Sequence, residues 1–167
     1  MKLADVEAIL RALNDAEVRY LIVGGLAVVA HGYVRATVDM DIVLHLEREN
    51  VLRAMAALKE IGYQPLVPVE AADFADEQKR KLWRDEKHMV VFQMRHPRTE
   101  STRLDIFMEE PFSFNGEYER AFWEEVAGER APILYYGELI RLKRSSGRPQ
   151  DLADVAELEL IRKNRKP

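Results

Sequence analysis

Residues 20–44 read YLIVGGLAVVAHGYVRATVDMDIVL, and the order of signals in this stretch decides the fold. Tyr20–Val23 is a short apolar run suited to a buried strand, and Gly24-Gly25 stops it. The small apolar residues Leu26–His31 predict a helix, with Gly32 at its C-cap. Asp39–Leu46 is rich in β-branched and aliphatic residues and reads as a second strand. Side chains alternate along a strand, so Asp39 and Asp41 share one face while Met40 and Ile42 take the other. A glycine turn between strand and helix is where backbone N–H groups can approach a phosphate. Gly-Gly alone is more often just a tight turn, and neither G-x-G-x-x-G nor a Walker lysine accompanies it.

Working outward, Leu3, Val6, Leu10 and Leu13 recur at helical spacing and predict an amphipathic helix over Lys2–Glu17. Asn50 is placed to cap a helix over Val51–Ile61, ended by Gly62. Tyr63–Val69 contains two prolines and suits an edge strand or an extended segment. The charged stretch Asp73–Glu86 predicts a helix with one exposed face. His88–His96 and Arg103–Met108 predict an antiparallel hairpin around the polar turn Pro97–Thr102. Beyond Pro111, helical patterns cover Glu117–Val126, Tyr136–Arg144 and Gln150–Lys163. The expectation is a single domain over residues 1–167 of α/β (α+β) class, a mixed sheet flanked by helices. Residues 112–167 are expected to form a helical C-terminal extension.

The composition, 47% apolar and 32% charged over 167 residues, is that of a soluble globular domain with a sizeable core. A net charge of −4 argues against sequence-independent coating of nucleic acid. The absence of cysteine excludes disulfides and thiolate chemistry. No apolar run approaches the roughly 20 residues that span a bilayer, and no signal pattern opens the chain, so a cytoplasmic location is expected. His45, His88 and His96 lack zinc-ligand spacing, and His31 suits a structural place at a helix end. Trp83, Phe122, Trp123 and Tyr136 read as core or surface anchors, each also able to hold a nucleobase. The terminal cluster Arg162, Lys163, Arg165 and Lys166 reads as a solvated helix end.

A third acid, Asp105, lies between Leu104 and Ile106 in a strand. A carboxylate in such a run is costly to bury unless it is paired, hydrogen-bonded or metal-bound. Three converging carboxylates would repel one another, and Mg²⁺, a hard cation that shares its shell with substrate phosphates, relieves that repulsion. The competing account makes Asp39 and Asp41 strand-end acids and pairs Asp105 with an arginine. From the pattern alone the two are evenly balanced.

Leu21-Ile22-Val23-Gly24-Gly25, thirteen further residues, Asp39-Met40-Asp41-Ile42, and later Leu104-Asp105-Ile106 together resemble the DNA polymerase beta-like nucleotidyltransferase superfamily. With His31-Gly32, Arg35 and Thr37, the segment looks closest to the branch of abortive-infection nucleotidyltransferase toxins. Leu139-Ile140-Arg141-Leu142-Lys143 and Gly147-Arg148-Pro149-Gln150-Asp151-Leu152-Ala153-Asp154 resemble that branch's C-terminal motif. The resemblance implies that Gly24 and Gly25 hold an NTP, with ATP as the default. It implies that Asp39, Asp41 and Asp105 bind Mg²⁺, or Mn²⁺ in its place, and that Asp105 also acts as base. Leu26, where many members carry a small or hydroxyl residue, departs from the pattern.

Lys143 and Arg148 are candidate phosphate contacts, or else members of a solvated basic helix and loop. Asp151 and Asp154 could orient them by ion pairs. Arg35 either touches phosphate or neutralises Asp39. The implied activity is transfer of a nucleoside monophosphate to a hydroxyl of RNA (a tRNA end among them), a protein or a small molecule, with an antitoxin or a second copy as partner. Two other readings stand beside it. One is a non-catalytic nucleotide-binding or regulatory module of toxin–antitoxin type. The other is a structural domain whose acids are satisfied by Arg35 and Arg103.

Overall fold

The apolar stripe of the N-terminal stretch forms helix α1 (Leu3–Asp15), which buries Val6, Ile9, Leu10 and Leu13. Each such side chain contributes about 1.5–3 kcal/mol of burial, so this face alone anchors the helix. The computed structural model describes residues 1–97 and 102–164. Strand β1 (Tyr20–Ile22) follows, fully buried, and α2 (Gly24–Ala30) begins directly at the first glycine. Strand β2 (Met40–Leu44) returns antiparallel to β1, pairing Ile22 with Ile42. Asp39 therefore stands one residue ahead of the strand rather than within it.

Helix α3 (Arg48–Glu60) starts earlier than expected. Its cap is Glu47, whose carboxylate accepts from the N–H groups of Glu49 and Asn50. Asn50 is buried instead, and it bridges the Arg19 and His45 backbones. Strand β3 shrinks to Gln64–Pro65 at the sheet edge. The helix expected over Asp73–Glu86 divides into a 3-10 turn, Ala71–Ala75, and α4 (Glu77–Lys87), because the Asp76 side chain caps a new start. The expected hairpin is present as β4 (Val91–Arg95) and β5 (Leu104–Phe107), antiparallel to each other, though most of its turn lies outside the described residues.

The helix expected over Glu117–Val126 does not form. Phe114–Glu119 makes a short helix α5, and Phe122–Val126 becomes strand β6, hairpinned to β7 (Glu129–Ile133). Ala127 and Gly128 both have positive φ, 51° and 83°, the geometry a two-residue hairpin turn requires. The described part of the expected C-terminal extension, residues 112–164, thus gives the sheet two strands as well as the helices α6 (Tyr136–Ser146) and α7 (Pro149–Asn164). Among the described residues the sheet has seven strands, in the order β3-β4-β5-β2-β1-β7-β6. It is mixed: β2 runs parallel to β5 and β1 parallel to β7, and the other pairings are antiparallel. Among the described residues no helix is long and apolar enough to cross a membrane.

This topology positions the site. Because β1 and β4 run opposite to β2 and β5, one edge of the sheet gathers the ends of β1 and β4 and the starts of β2 and β5. The glycine turn, the Asp39–Asp41 segment and Arg103–Asp105 all fall on that edge.

Candidate active site

Asp41 and Asp105 are register partners across the parallel β2–β5 pair, so their side chains leave the same face side by side. Burial, and then the neighbouring Asp105, push the Asp41 carboxyl up to about 6, against a hydrogen bond from the Gly25 N–H. Burial also raises Asp105 above the usual carboxylate range, against the opposing effects of Gln93 and Arg103. Gln93 lies opposite Asp105 on β4, and its amide reaches both carboxylate oxygens at 3.2 and 3.3 Å. Nothing in the sequence singled out Gln93; its place opposite Asp105 appears only once the β4–β5 register is known.

The glycine turn is built around Asp41. Gly24 has φ of +60°, and a Cβ there would collide with the Asp41 carboxylate. Both constraints require glycine. A Cβ on Gly25 would meet the Thr37 hydroxyl at 2.5 Å and the Arg35 guanidinium at 3.1 Å. Thr37 itself donates to the Asp39 carbonyl at 3.3 Å. Turn, Arg35 and Asp41 therefore form one cluster.

Asp39 is held by Arg103, whose guanidinium pairs with it and lies 3.4 Å from Asp105. The hydrogen bond to Asp39 raises the Arg103 guanidinium above its usual value. Among the described residues no three acidic or histidine side chains close on a common point at ligand distance. Arg103 instead stands between two of the acids, in part as the structural reading of these aspartates expects. Arg35 does not join it. Its partner is Asp154, with Nε at 2.7 Å and a second nitrogen at 2.9 Å, so the expectation that it neutralises Asp39 is corrected.

The C-terminal cations have different places. Lys143 is buried, 5% exposed, with its Nζ 2.7 Å from both Asp151 and Asp154. Arg148 pairs with Asp151 at 2.7 Å and is otherwise solvent-exposed. Burial works upward on Asp151, but hydrogen bonds from Lys143, Ser146 and Arg148 outweigh it and hold the carboxyl at about 2. Asp154 is lowered in the same way, burial being outweighed by Lys143, Arg35 and Gln150. The chain Arg148–Asp151–Lys143–Asp154–Arg35 thus runs from α7 through α6 to the glycine turn, as the ion-pair reading of these residues expects. His31 is structural: its Nε2 lies 2.9 Å from the Leu134 carbonyl oxygen and its ring stacks on Phe122. Trp83 is a core residue stacked on Phe92, while Trp123 lies half-exposed on β6.

As a donor set the three aspartates are of the kind a hard divalent cation takes, although in this arrangement they do not close on a common point. They offer carboxylate oxygen only, and Arg103 leaves two of their three negative charges uncompensated within the cluster. The fit requires Arg103 to release Asp39.

Comparisons with known proteins bear on the family and the fold. The profile of the aminoglycoside-2''-adenylyltransferase family matches residues 5–158. No curated protein matches. Solved structures share the fold, three of them as follows. The lincosamide antibiotic adenylyltransferase LnuA, lincomycin-bound, superposes with a TM-score of 0.61 at 18% identity, covering 93% of this chain and 95% of its own. ANT(2'')-Ia in complex with adenylyl-2''-tobramycin gives 0.56 at 13% identity, covering 97% and 95%. A nucleotidyltransferase-type protein from Thermotoga maritima gives 0.57 at 15% identity, covering 95% and 88%.

Proposed function

The chain belongs to the aminoglycoside-2''-adenylyltransferase family and is a nucleotidyltransferase, and we propose that it moves the adenylyl group of ATP, with Mg²⁺, onto a hydroxyl of a small molecule. The observation that carries this reading is the register pairing of Asp41 with Asp105 beside the Gly24-Gly25 turn. In this reading residues 1–167 act as one nucleotidyltransferase domain.

Each residue then has a role. Gly24 and Gly25 let the triphosphate approach the start of α2 closely, as no side chain could. Arg35, beside that turn, receives phosphate oxygens, while Asp154 and Lys143 hold it in place. Arg148, exposed and tied by one ion pair, is the C-terminal cation able to turn toward phosphate. Asp39, Asp41 and Asp105 would hold the metal, and Mn²⁺ would serve in its place. When bound, Mg²⁺ supplies neutralisation of the triphosphate and favours in-line displacement. Asp105, held above the usual carboxylate range by burial, accepts the proton of the acceptor hydroxyl. The acceptor oxygen bonds to the α-phosphorus as the bond to the β-phosphate oxygen breaks and pyrophosphate leaves.

A small-molecule acceptor is preferred over an RNA end or a protein hydroxyl because two of the solved relatives are adenylyltransferases holding an antibiotic or its adenylylated product. The comparisons do not support the abortive-infection branch or an antitoxin partner. The test is transfer of label from α-labelled ATP to hydroxyl acceptors, lincomycin and tobramycin included, with Mg²⁺-dependent pyrophosphate release. No pyrophosphate with any of the four NTPs across such a panel would refute it.

The non-catalytic reading has one observation on its side: Arg103 already pairs with Asp39 and Asp105. Arg103→Gln separates the two. If Arg103 stands in for the cation, the apo variant melts lower than wild type because the acids repel, and Mg²⁺ raises its Tm by more than it raises the wild type. A Tm increment from Mg²⁺ that is absent in both proteins would favour the non-catalytic module.

A further inference from the structure

On the β4–β5 side of the glycine turn a cavity of about 350 Å³ opens beside Asp39. Its wall includes Lys2, Val38, Leu66, Arg95 and Arg103, with Asp39 as its acid. Arg103 and Asp39 pair with one another. Lys2 and Arg95, both exposed, have no acidic partner among the described residues. Val38 and Leu66 expose apolar surface, 72% and 37%, which nothing among the described residues covers. The cavity therefore offers two cations without an acidic partner among the described residues, an apolar wall and an edge on Asp39.

Its place decides what enters. In the proposed reaction, on which this inference rests, the nucleotide sits at the Gly24-Gly25 turn, on the α2 side of Asp39 and Asp41. The acceptor must reach the α-phosphorus from the opposite side, past Asp105, and β4 and β5 form that side. An aminoglycoside carries several ammonium groups at neutral pH. In this cavity it would meet two unpaired like charges, each repulsion costing about 1 kcal/mol or more at contact distance. A carboxylate or phosphate there meets complementary charge, and the arginine can bind it through both arms of its fork.

We propose that the acceptor is anionic: a hydroxyl-bearing molecule whose carboxylate or phosphate is held by Lys2 and Arg95, with its apolar part against Val38 and Leu66. The specificity of this chain thus departs from the polycationic acceptor that gives its family a name. Lys2 and Arg95 are the residues that set it.

Probes of one scaffold and opposite charge test this by calorimetry, without nucleotide. They are 4-hydroxyphenylacetate, 4-hydroxybenzylphosphonate and tyramine, with tobramycin as the polycation. At least one anion should bind wild type about tenfold tighter than tyramine, and the stronger of the two anions identifies the head group. The preference should weaken in high salt and reverse in Lys2→Glu plus Arg95→Glu, two exposed positions that leave the core untouched. Equal binding of anion and cation, binding of neither anion, tighter binding of tobramycin, or a preference unmoved by the double variant would overturn the proposal. Loss of ATP binding at the glycine turn would sink the nucleotidyltransferase mechanism while leaving this charge preference readable, so the two failures are distinguishable.

Discussion

Asp41→Asn is expected to make the metal-free protein more stable while abolishing nucleotidyl transfer. The Asp41 carboxyl titrates near 6 in the folded protein, against 3.8 in the unfolded chain, because burial and Asp105 disfavour its charge. An acid raised on folding opposes the native state once it ionises. The effect is absent below pH 4, grows as pH rises from 4 to 6, and is complete above 6. The full shift corresponds to about 3 kcal/mol, and solvent at the site's open edge makes about 1–3 kcal/mol the realistic range. Asparagine keeps a carbonyl oxygen for the Gly25 N–H and removes the charge. The variant should therefore melt about 3–9 °C above wild type at pH 7.5 without metal, and no higher than wild type at pH 4. With Mg²⁺ present, wild type should recover the difference. Turnover should fall by at least about a thousandfold, the worth of a lost metal ligand at several kcal/mol. A variant less stable than wild type at pH 7.5, or one that still turns over, would contradict the role assigned to Asp41.

Lys143→Met is expected to give the largest loss of stability. It removes the buried ammonium shared by Asp151 and Asp154, leaving two buried carboxylates with only Arg148 and Arg35. Breaking one partner out of a buried pair costs about 3–5 kcal/mol. The remaining arginines put this case near the lower end, a Tm drop of about 10 °C. The pH dependence follows from Asp151, which is held at about 2 when folded. A depressed acid contributes its stability above 3.8 and loses it as pH falls toward 2. The gap between wild type and variant should therefore be widest at neutral pH and narrow below pH 4. Because Asp154 holds Arg35 at the glycine turn, nucleotide affinity should fall as well. Unchanged melting would place Lys143 in solvent rather than in this network.

Much of the fold that gathers the candidate site was legible in the sequence. Strand alternation placed Asp39 and Asp41 on one face, and the structure refines this by setting Asp41 in register with Asp105 and leaving Asp39 just ahead of β2. The β4–β5 hairpin and the helices α1, α2, α3, α6 and α7 also read through. What failed to read was decided by pairing and by side-chain competition. Glu124 and Glu125 gave β6 a helical composition, because an edge strand can carry charges on its exposed face. Pro132 hid β7, whose burial comes from sitting between β6 and β1. Glu47 displaced Asn50 as the cap of α3, since Asn50 is buried and holds the Arg19 and His45 backbones. Asp154 took Arg35 from Asp39, a choice settled by the packing of α7 that no spacing along the chain reveals.

In the proposed function the three aspartates and the glycine turn form one metal-dependent nucleotide site. Calorimetric titration with α,β-methylene-ATP, whose α–β bridge cannot be cleaved, tests it without knowledge of the acceptor. Wild type should bind the analogue with Mg²⁺ at least about tenfold more tightly than in EDTA, and Asp41→Asn should show no Mg²⁺-dependent gain. Binding that is equally tight without Mg²⁺ and unaffected by Asp41→Asn, or no binding at all, would contradict it.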